Sequence, residues 1–382
     1  MDKTAERILE WFERHREEMK EFLIELVRTE SPSRQPEAQK RLMARLIEKL
    51  HSLDYQAFRM PGRSTGGFLY ARPDSRKKGK PCQLLVGHCD TVWPLGTLDE
   101  MPVVEQDGKL RGPGVFDMKA GLTQMLFAVE ALGDLGYDPA LTPLLLINSD
   151  EEIGSPESTG AIRRLARISD RAFIMEPPLD RDGKLKTARK GLGKFVITVT
   201  GKAAHAGLEP GKGASAIVEL SYQIQKLFAM SDPEKGITVN VGMIEGGVSP
   251  NVVAPQSRAV VDVRVLKTED AQRVCRQIEQ LQTADPNTRL SVEGGMGRPP
   301  MEPTPRNRRL WQLAREKGRL MGLELKEATA GGGSDGNTTS QHTSTLDGLG
   351  TTGGGAHAAH EFIFLDKLVE RAALLTLLLL GE

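Results

Sequence analysis

Apolar positions in the first 190 residues recur with two different periods. Ile8, Phe12, Met19, Phe22 and Leu26, with His15 between the second and third, follow one another at four- and three-residue steps, the mark of an amphipathic helix. Short unbroken apolar runs come next, Leu84–Val86, Leu144–Ile147 and Ala172–Met175, each closed by polar, Gly or Pro residues. They predict buried strands, and a helical run over Leu122–Leu132 separates the first two. Helices alternating with buried strands predict an α/β sandwich with a largely parallel sheet.

After about residue 190 the pattern changes. Phe195–Thr200 reads as a strand, Ser215–Met230 as a helix, and Ile237–Met243 and Ser257–Leu266 as strands. A helix over Thr268–Gln282 and a strand over Arg289–Glu293 complete βαββαβ, the ferredoxin-like order. This predicts one domain from residues 1–190 and 301–382, interrupted by an inserted domain over 191–300. The apolar end Ala372–Leu380 is too short to span a bilayer and predicts the buried face of a last helix.

Candidate chemistry gathers where the predicted strands end. Glu151 and Glu152 close the run from Leu144; in extended chain, neighbouring side chains face opposite ways, so one carboxylate could face a metal and the other a substrate. His88 and Asp90 are two apart, a spacing that suits an imidazole on a metal and a carboxylate orienting it. Asp117 follows a Gly/Pro loop ahead of the 122–132 helix, Glu176 ends the third strand, and His357 and His360 supply imidazoles near the C-terminus. Mixed N/O donors suit zinc, with cobalt or manganese as substitutes. A two-metal set closes with Asp117 bridging, His88 and Glu176 on one ion, Glu152 and His357 on the other, and Glu151 left as general base.

The segments Gly87–Val92, Gly112–Lys119, Asp150–Gly154, Gly201–Gly207, Pro250–Val253, Asp262–Arg264, Gly297–Pro299 and Gly331–Asp335 together resemble the co-catalytic zinc metallopeptidases. That family includes glutamate carboxypeptidase, acetylornithine deacetylase, succinyl-diaminopimelate desuccinylase and aminoacylases, and the glutamate carboxypeptidase branch is the nearest in motif. The resemblance covers nearly the whole chain and implies an α/β sandwich with an inserted ferredoxin-like lid and two zinc ions. It assigns His88, Asp117, Glu152, Glu176 and a C-terminal histidine to the metals, Asp90 to the orienting carboxylate and Glu151 to the base. His357 is chosen over His360 because Glu361 follows it by four residues, as a glutamate follows the ligand in the family. The resemblance further implies that His205 reaches the partner subunit's site in a lid-mediated homodimer, that Asn251 and Arg264 hold the substrate carboxylate, and that Gly333 offers a backbone contact. Ala254 in place of a common proline and Gly213–Ala216 in place of Gly-x-Asn-Ala depart from the family pattern within the lid.

The activity this implies is hydrolysis of a C–N amide bond that releases a C-terminal amino acid. Arg264 and Arg298 are candidates for carboxylate recognition, which favours a substrate ending in glutamate or aspartate. N-acyl-amino-acid deacylation is the alternative, and a non-catalytic metal-binding scaffold is the reading from a different class. Composition narrows partners. Lys+Arg and Asp+Glu both total 51 and aromatics are 5%, so no global charge pulls the chain toward nucleic acid or an anionic membrane. Three cysteines are too few for a disulfide framework, and the N-terminus lacks a signal-peptide layout, so the expected location is cytoplasmic.

Overall fold

The N-terminal amphipathic pattern folds as two helices, Lys3–Arg14 and Arg16–Arg28, broken at His15. There the backbone leaves the helical basin (φ −99°, ψ 9°), the ring stacks on Trp11, and Nδ1 lies 2.7 Å from the Trp11 carbonyl. The apolar face survives the break: Ile8, Phe12, Met19, Phe22 and Leu26 are all buried.

The computed structural model describes residues 2–381 and divides into two compact units. The first comprises Met1–Thr187, Pro303–Ala330 and Ser334–Glu382; the second comprises Ala188–Glu302 with Gly331–Gly333. The first is built on a six-stranded sheet in the order Tyr55–Met60, Phe68–Pro73, Thr142–Asn148, Cys82–His88, Arg171–Ile174, Ser344–Leu346. The last four run parallel to one another, and Phe68–Pro73 alone runs the other way, pairing antiparallel with both Thr142–Asn148 and Tyr55–Met60. Cys82–His88 and Thr142–Asn148 are buried along their whole length, as parallel strands covered on both faces are. Helix Ala120–Asp134, buried at almost every position, packs against the C-terminal helix Leu365–Leu380. A side chain at Gly121 would put its Cβ 2.1 Å from the Met175 carbonyl, so glycine lets the start of helix Ala120–Asp134 sit against the residue before Glu176. No helix among the described residues is long and apolar enough to cross a membrane.

A second, small antiparallel sheet was not apparent in the pattern: Val104–Gln106, Lys109–Arg111, Phe362–Phe364 and Gly353–Gly354. Its strands are two or three residues long, below the length at which alternation can be read. It matters because it lays the segment around His357 beside the loop that leads to Asp117.

The second unit has strands Gly191–Thr200, Thr238–Gly246, Gln256–Val265 and Arg289–Arg298 and helices Ala216–Phe228 and Thr268–Glu279. Its antiparallel sheet runs Thr238–Gly246, Gln256–Val265, Gly191–Thr200, Arg289–Arg298, the ferredoxin-like arrangement. Alternate residues Phe195, Ile197 and Val199 and, next door, Ala259, Val261 and Val263 bury one face against Leu220, Val274 and Ile278 of the two helices. Burying each large aliphatic or aromatic side chain contributes about 1.5–3 kcal/mol.

Candidate metal centre

His88, the Glu151–Glu152 pair and Glu176 stand at or just past the carboxyl ends of three adjacent parallel strands, where open α/β sheets place their sites. Asp117 comes from the Val115–Lys119 turn ahead of helix Ala120–Asp134, and His357 from the loop after Gly354. The fold brings all five proposed ligands together. His88 Nε2 lies 3.3 Å from Asp117 Oδ1 and 3.6 Å from Glu176 Oε1. His357 Nε2 lies 3.4 Å from Asp117 Oδ2 and 3.2 Å from Glu152 Oε2. The two oxygens of Asp117 are therefore divided between the two imidazoles. Among the described residues His360 makes no ion pair with these carboxylates; it lines the cavity beside Asp117 and Glu176.

These donors fit a pair of divalent ions. Two donors about 2.0–2.2 Å from a tetrahedral zinc lie roughly 3.3–3.6 Å apart, and the four spacings agree to about 0.1 Å. Glu152 Oε1 is buried without a hydrogen-bond partner, an oxygen with a free acceptor position inside the cluster. Ligand atoms of His88, Glu151 and Glu176 also lie within 4.8 Å of one another, as do those of His88, Asp117 and Glu152.

The carboxylates set the charge of the imidazoles. Burial disfavours a charged His88, but hydrogen bonds to Asp117 and Asp90 hold its pKa well above the usual value. His357, bonded to Asp117 and Glu152, is raised to about 10. Burial raises Glu152, whereas Asp117 is lowered because the two imidazoles outweigh its burial. The pocket thus concentrates negative charge and offers it to cations.

Asp90 does more than orient His88. His88 Nδ1 is nearer the Asp90 main-chain oxygen (3.0 Å) than its carboxylate (3.4 Å). The fully buried carboxylate accepts Glu151 N and Glu152 N, both at 3.2 Å, and Ser33 Oγ at 2.7 Å. It therefore pins the backbone of the glutamate pair. Glu151 and Glu152 divide their directions by a helical turn, Glu151–Ile153, since the strand ends at Asn148. Successive side chains on such a turn splay apart, which achieves the separation expected of extended chain by a different local geometry.

A cavity of about 470 Å³ opens beside Asp117 and Glu176, and Arg181, Lys186 and His360 also line it. Neither Arg181, in a polar loop, nor Lys186, in a short strand, stands out in the sequence as a pocket residue; His360 does, as the alternative to His357 for the last ligand. Cys89 is fully buried in the main core, and burial pushes its thiol up to about 12.

The remaining predicted residues belong to the second unit. His205 and Asn251 are neighbours: the Asn251 carbonyl accepts Ala206 N at 2.9 Å, and both side chains are exposed. Arg264 bonds Asp262 Oδ2 at 2.8 Å and the Gly331 carbonyl at 3.0 Å. Arg298 is buried, its Cδ 3.4 Å from where a Gly333 side chain would begin. Arg189, which the sequence reading missed, donates to the carbonyls of Gly332 (3.2 Å) and Gly333 (3.3 Å). Three arginines thus surround the Gly331–Gly333 segment.

Residues 84–381 match the model of peptidase family M20/M25/M40. The chain is 29% identical over 281 residues to carboxypeptidase G2 of a Pseudomonas species (strain RS-16), spanning 72% of this chain and 67% of that one. It has the fold of aminopeptidase PepT from Bacillus cereus (TM-score 0.81, 23% identity, 95% and 98% of the two chains). It also has the fold of the YXEP protein of Bacillus subtilis, described as a dinuclear metal-binding peptidase (TM-score 0.72, 15% identity, 96% and 98%). With most of its length matched, the chain belongs to peptidase family M20/M25/M40 and is a metallopeptidase-type hydrolase of that family.

Proposed function

We propose that this protein is a di-zinc carboxypeptidase that hydrolyses the amide bond before a C-terminal glutamate-type residue. The observation that carries the reading is the division of the Asp117 oxygens between His88 and His357, with Glu151 alongside. His88 and Glu176 would hold one ion, Glu152 and His357 the other, and Asp117 both. When bound, the ions supply Lewis acidity at the scissile carbonyl and a lowered pKa for the attacking water.

Glu151, its backbone fixed on Asp90, takes the proton of the attacking water and hands it to the leaving nitrogen. His205, from the partner of a homodimer, donates to the developing oxyanion. Asn251, Arg264, Arg298 and Gly333 receive the substrate carboxylate; the grouping of the two arginines about Gly331–Gly333 supports this. The cavity beside Asp117 and Glu176 carries Arg181 and Lys186 together with Asp180, a mixed polar lining that suits a polar substrate portion next to the proposed ligands. The likeness to carboxypeptidase G2 over 72% of the chain supports a carboxypeptidase, while a shorter likeness, 28% identity over 216 residues, to acetylornithine deacetylase of Myxococcus xanthus supports the deacylase alternative.

Dimerisation through the second unit is supported by its edge strand Thr238–Gly246 and the exposed Ile217, Val218, Tyr222, Met243 and Ile244, an apolar surface beside an unpaired strand edge. The three unpaired thiols support a reducing, cytoplasmic setting.

The test is amino-acid release from matched dipeptides and N-acyl amino acids ending in Glu, Asp, Leu, Ala or Arg, with zinc and with chelator. Chelator-sensitive release from dipeptides ending in Glu or Asp is expected. Release from N-acyl amino acids alone would make the protein a deacylase. No turnover in protein carrying two ions would leave a metal-binding scaffold.

A further inference from the structure

Glu361 is buried, and its carboxylate is saturated with N–H donors from two other segments. Oε1 accepts Phe116 N at 2.9 Å and Asp117 N at 3.0 Å. Oε2 accepts Gly114 N at 2.9 Å and Trp93 Nε1 at 3.1 Å. Three of the four main-chain donors from Gly114 to Asp117 thus converge on one side chain. The fourth, Val115 N, turns back to the Gly112 carbonyl, in a loop where Gly114 takes the left-handed conformation (φ 71°).

The same residue closes the His357 loop. Ala358 N donates to the Gly355 carbonyl and Glu361 N to the Ala358 carbonyl, both at 2.9 Å. His357 itself sits at φ 59°, a conformation that a residue with a Cβ adopts only when its surroundings impose it. Directly after Glu361 the chain pairs Phe362 with Arg111, so main chain and side chain both tie the two loops together. Asp117 and His357 are the donors that meet at 3.4 Å, and neither lies on a sheet strand that would fix it.

We infer that Glu361 is a positioning residue for the metal centre: its carboxylate clamps the Asp117 loop to the His357 loop and so presets the bridging carboxylate against the half-exposed imidazole. The inference rests on the two-metal reading above. It requires a carboxylate and not merely its shape. In Glu361→Gln one oxygen becomes an NH₂ group that faces two N–H donors, so two of the four bonds are replaced by donor–donor opposition.

The experiment is zinc titration of chelator-stripped protein by calorimetry, alongside thermal unfolding of the stripped form and steady-state kinetics. E361Q is expected to bind zinc on the order of 10- to 100-fold more weakly, as loss of a residue that orients ligands does. Its activity deficit should lie in kcat rather than KM and shrink as zinc is raised. A folded E361Q that takes up zinc with wild-type affinity, even with a lowered Tm, would overturn the inference and leave Glu361 a purely structural residue. If E361Q does not fold, Trp93→Phe removes the outermost of the four donors. It should weaken zinc binding in the same direction by about 2- to 10-fold, and wild-type affinity in that variant would equally overturn it. Wild-type protein that binds no zinc would instead refute the two-metal reading itself.

Discussion

The two halves of the metal centre are built by different means. His88 ends a fully buried strand, is itself 2% exposed at the side chain, and has Nδ1 held against Asp90. His357 sits on a loop, is 51% exposed, and among the described residues its Nδ1 has no hydrogen-bond partner. One imidazole is aimed by the sheet and by Asp90, the other only by the loop that carries it. Rigidity at the His88 half comes from the core. At the His357 half it must come from polar bonds that single substitutions can remove. The His88 half should therefore keep its ion when the His357 half loses one.

The largest effect should come from the residue assigned to neither ion. A Glu151 carboxylate oxygen lies in reach of His88 and Glu176, and its backbone is held by Asp90, the residue that also holds His88 Nδ1. Glu151→Gln should lower kcat by roughly 10²–10⁴-fold while both ions stay bound. Metal analysis of the purified variant with single-turnover kinetics checks this. Near-wild-type turnover in the fully loaded variant would remove Glu151 as base.

Next in size is a direct contest between the halves. His88→Ala leaves the carboxylates of Asp90, Asp117 and Glu176 facing one another in the interior without their cation. It should cost about 3–5 kcal/mol of stability in the stripped protein and both ions in the loaded one. His357→Ala, at an exposed position, should leave the stripped protein close to wild-type Tm and retain one tightly bound ion. Equal loss of stability and equal stoichiometry in the two variants would abolish the distinction drawn above.

That asymmetry also explains what could be read from the amino-acid sequence. Leu84–Val86, Leu144–Ile147 and Ala172–Met175 announce their strands because both faces are buried, and the residues that end them lie in the centre. The βαββαβ order over 195–293 is legible for a similar reason, since alternate positions such as Phe195, Ile197 and Val199 all face one core. Tyr55–Met60 is hard to read because apolar Phe58 and Met60 stand on an exposed face while Arg59 stands on the less exposed one. In Phe68–Pro73, Tyr70 and Arg72 share a half-buried face with Phe68, which likewise blunts the alternation. Asp117 and His357 could be named by motif, but their convergence depends on two- and three-residue strands that carry no periodicity. The break at His15 hangs on one ring stacked against Trp11, a contact that the three- and four-residue steps pass over. The cavity lined by Arg181, Lys186 and His360 draws on three separate stretches, so proximity in the chain offered no hint of it.

The smallest effect is graded with pH, and its sign differs between loaded and stripped protein. His88 is held well above its usual pKa and His357 at about 10, so at neutral pH both imidazoles carry a proton that an ion must displace. Apparent zinc affinity should then climb with pH, about tenfold per unit for each proton displaced, and calorimetric heats should depend on the ionisation enthalpy of the buffer. In the stripped protein the raised pKa values stabilise the fold fully below the unfolded histidine value of about 6.5. That contribution fades as pH rises through the folded values, about 10 for His357, whose share solvent screening keeps small. Raising pH should thus tighten zinc while lowering the Tm of the stripped protein on the alkaline side. Removing His357 should abolish one displaced proton and leave the one at His88. Buffer-independent heats in the wild type would mean that neither imidazole is protonated at neutral pH, and the electrostatic contrast between the halves would fall with that result.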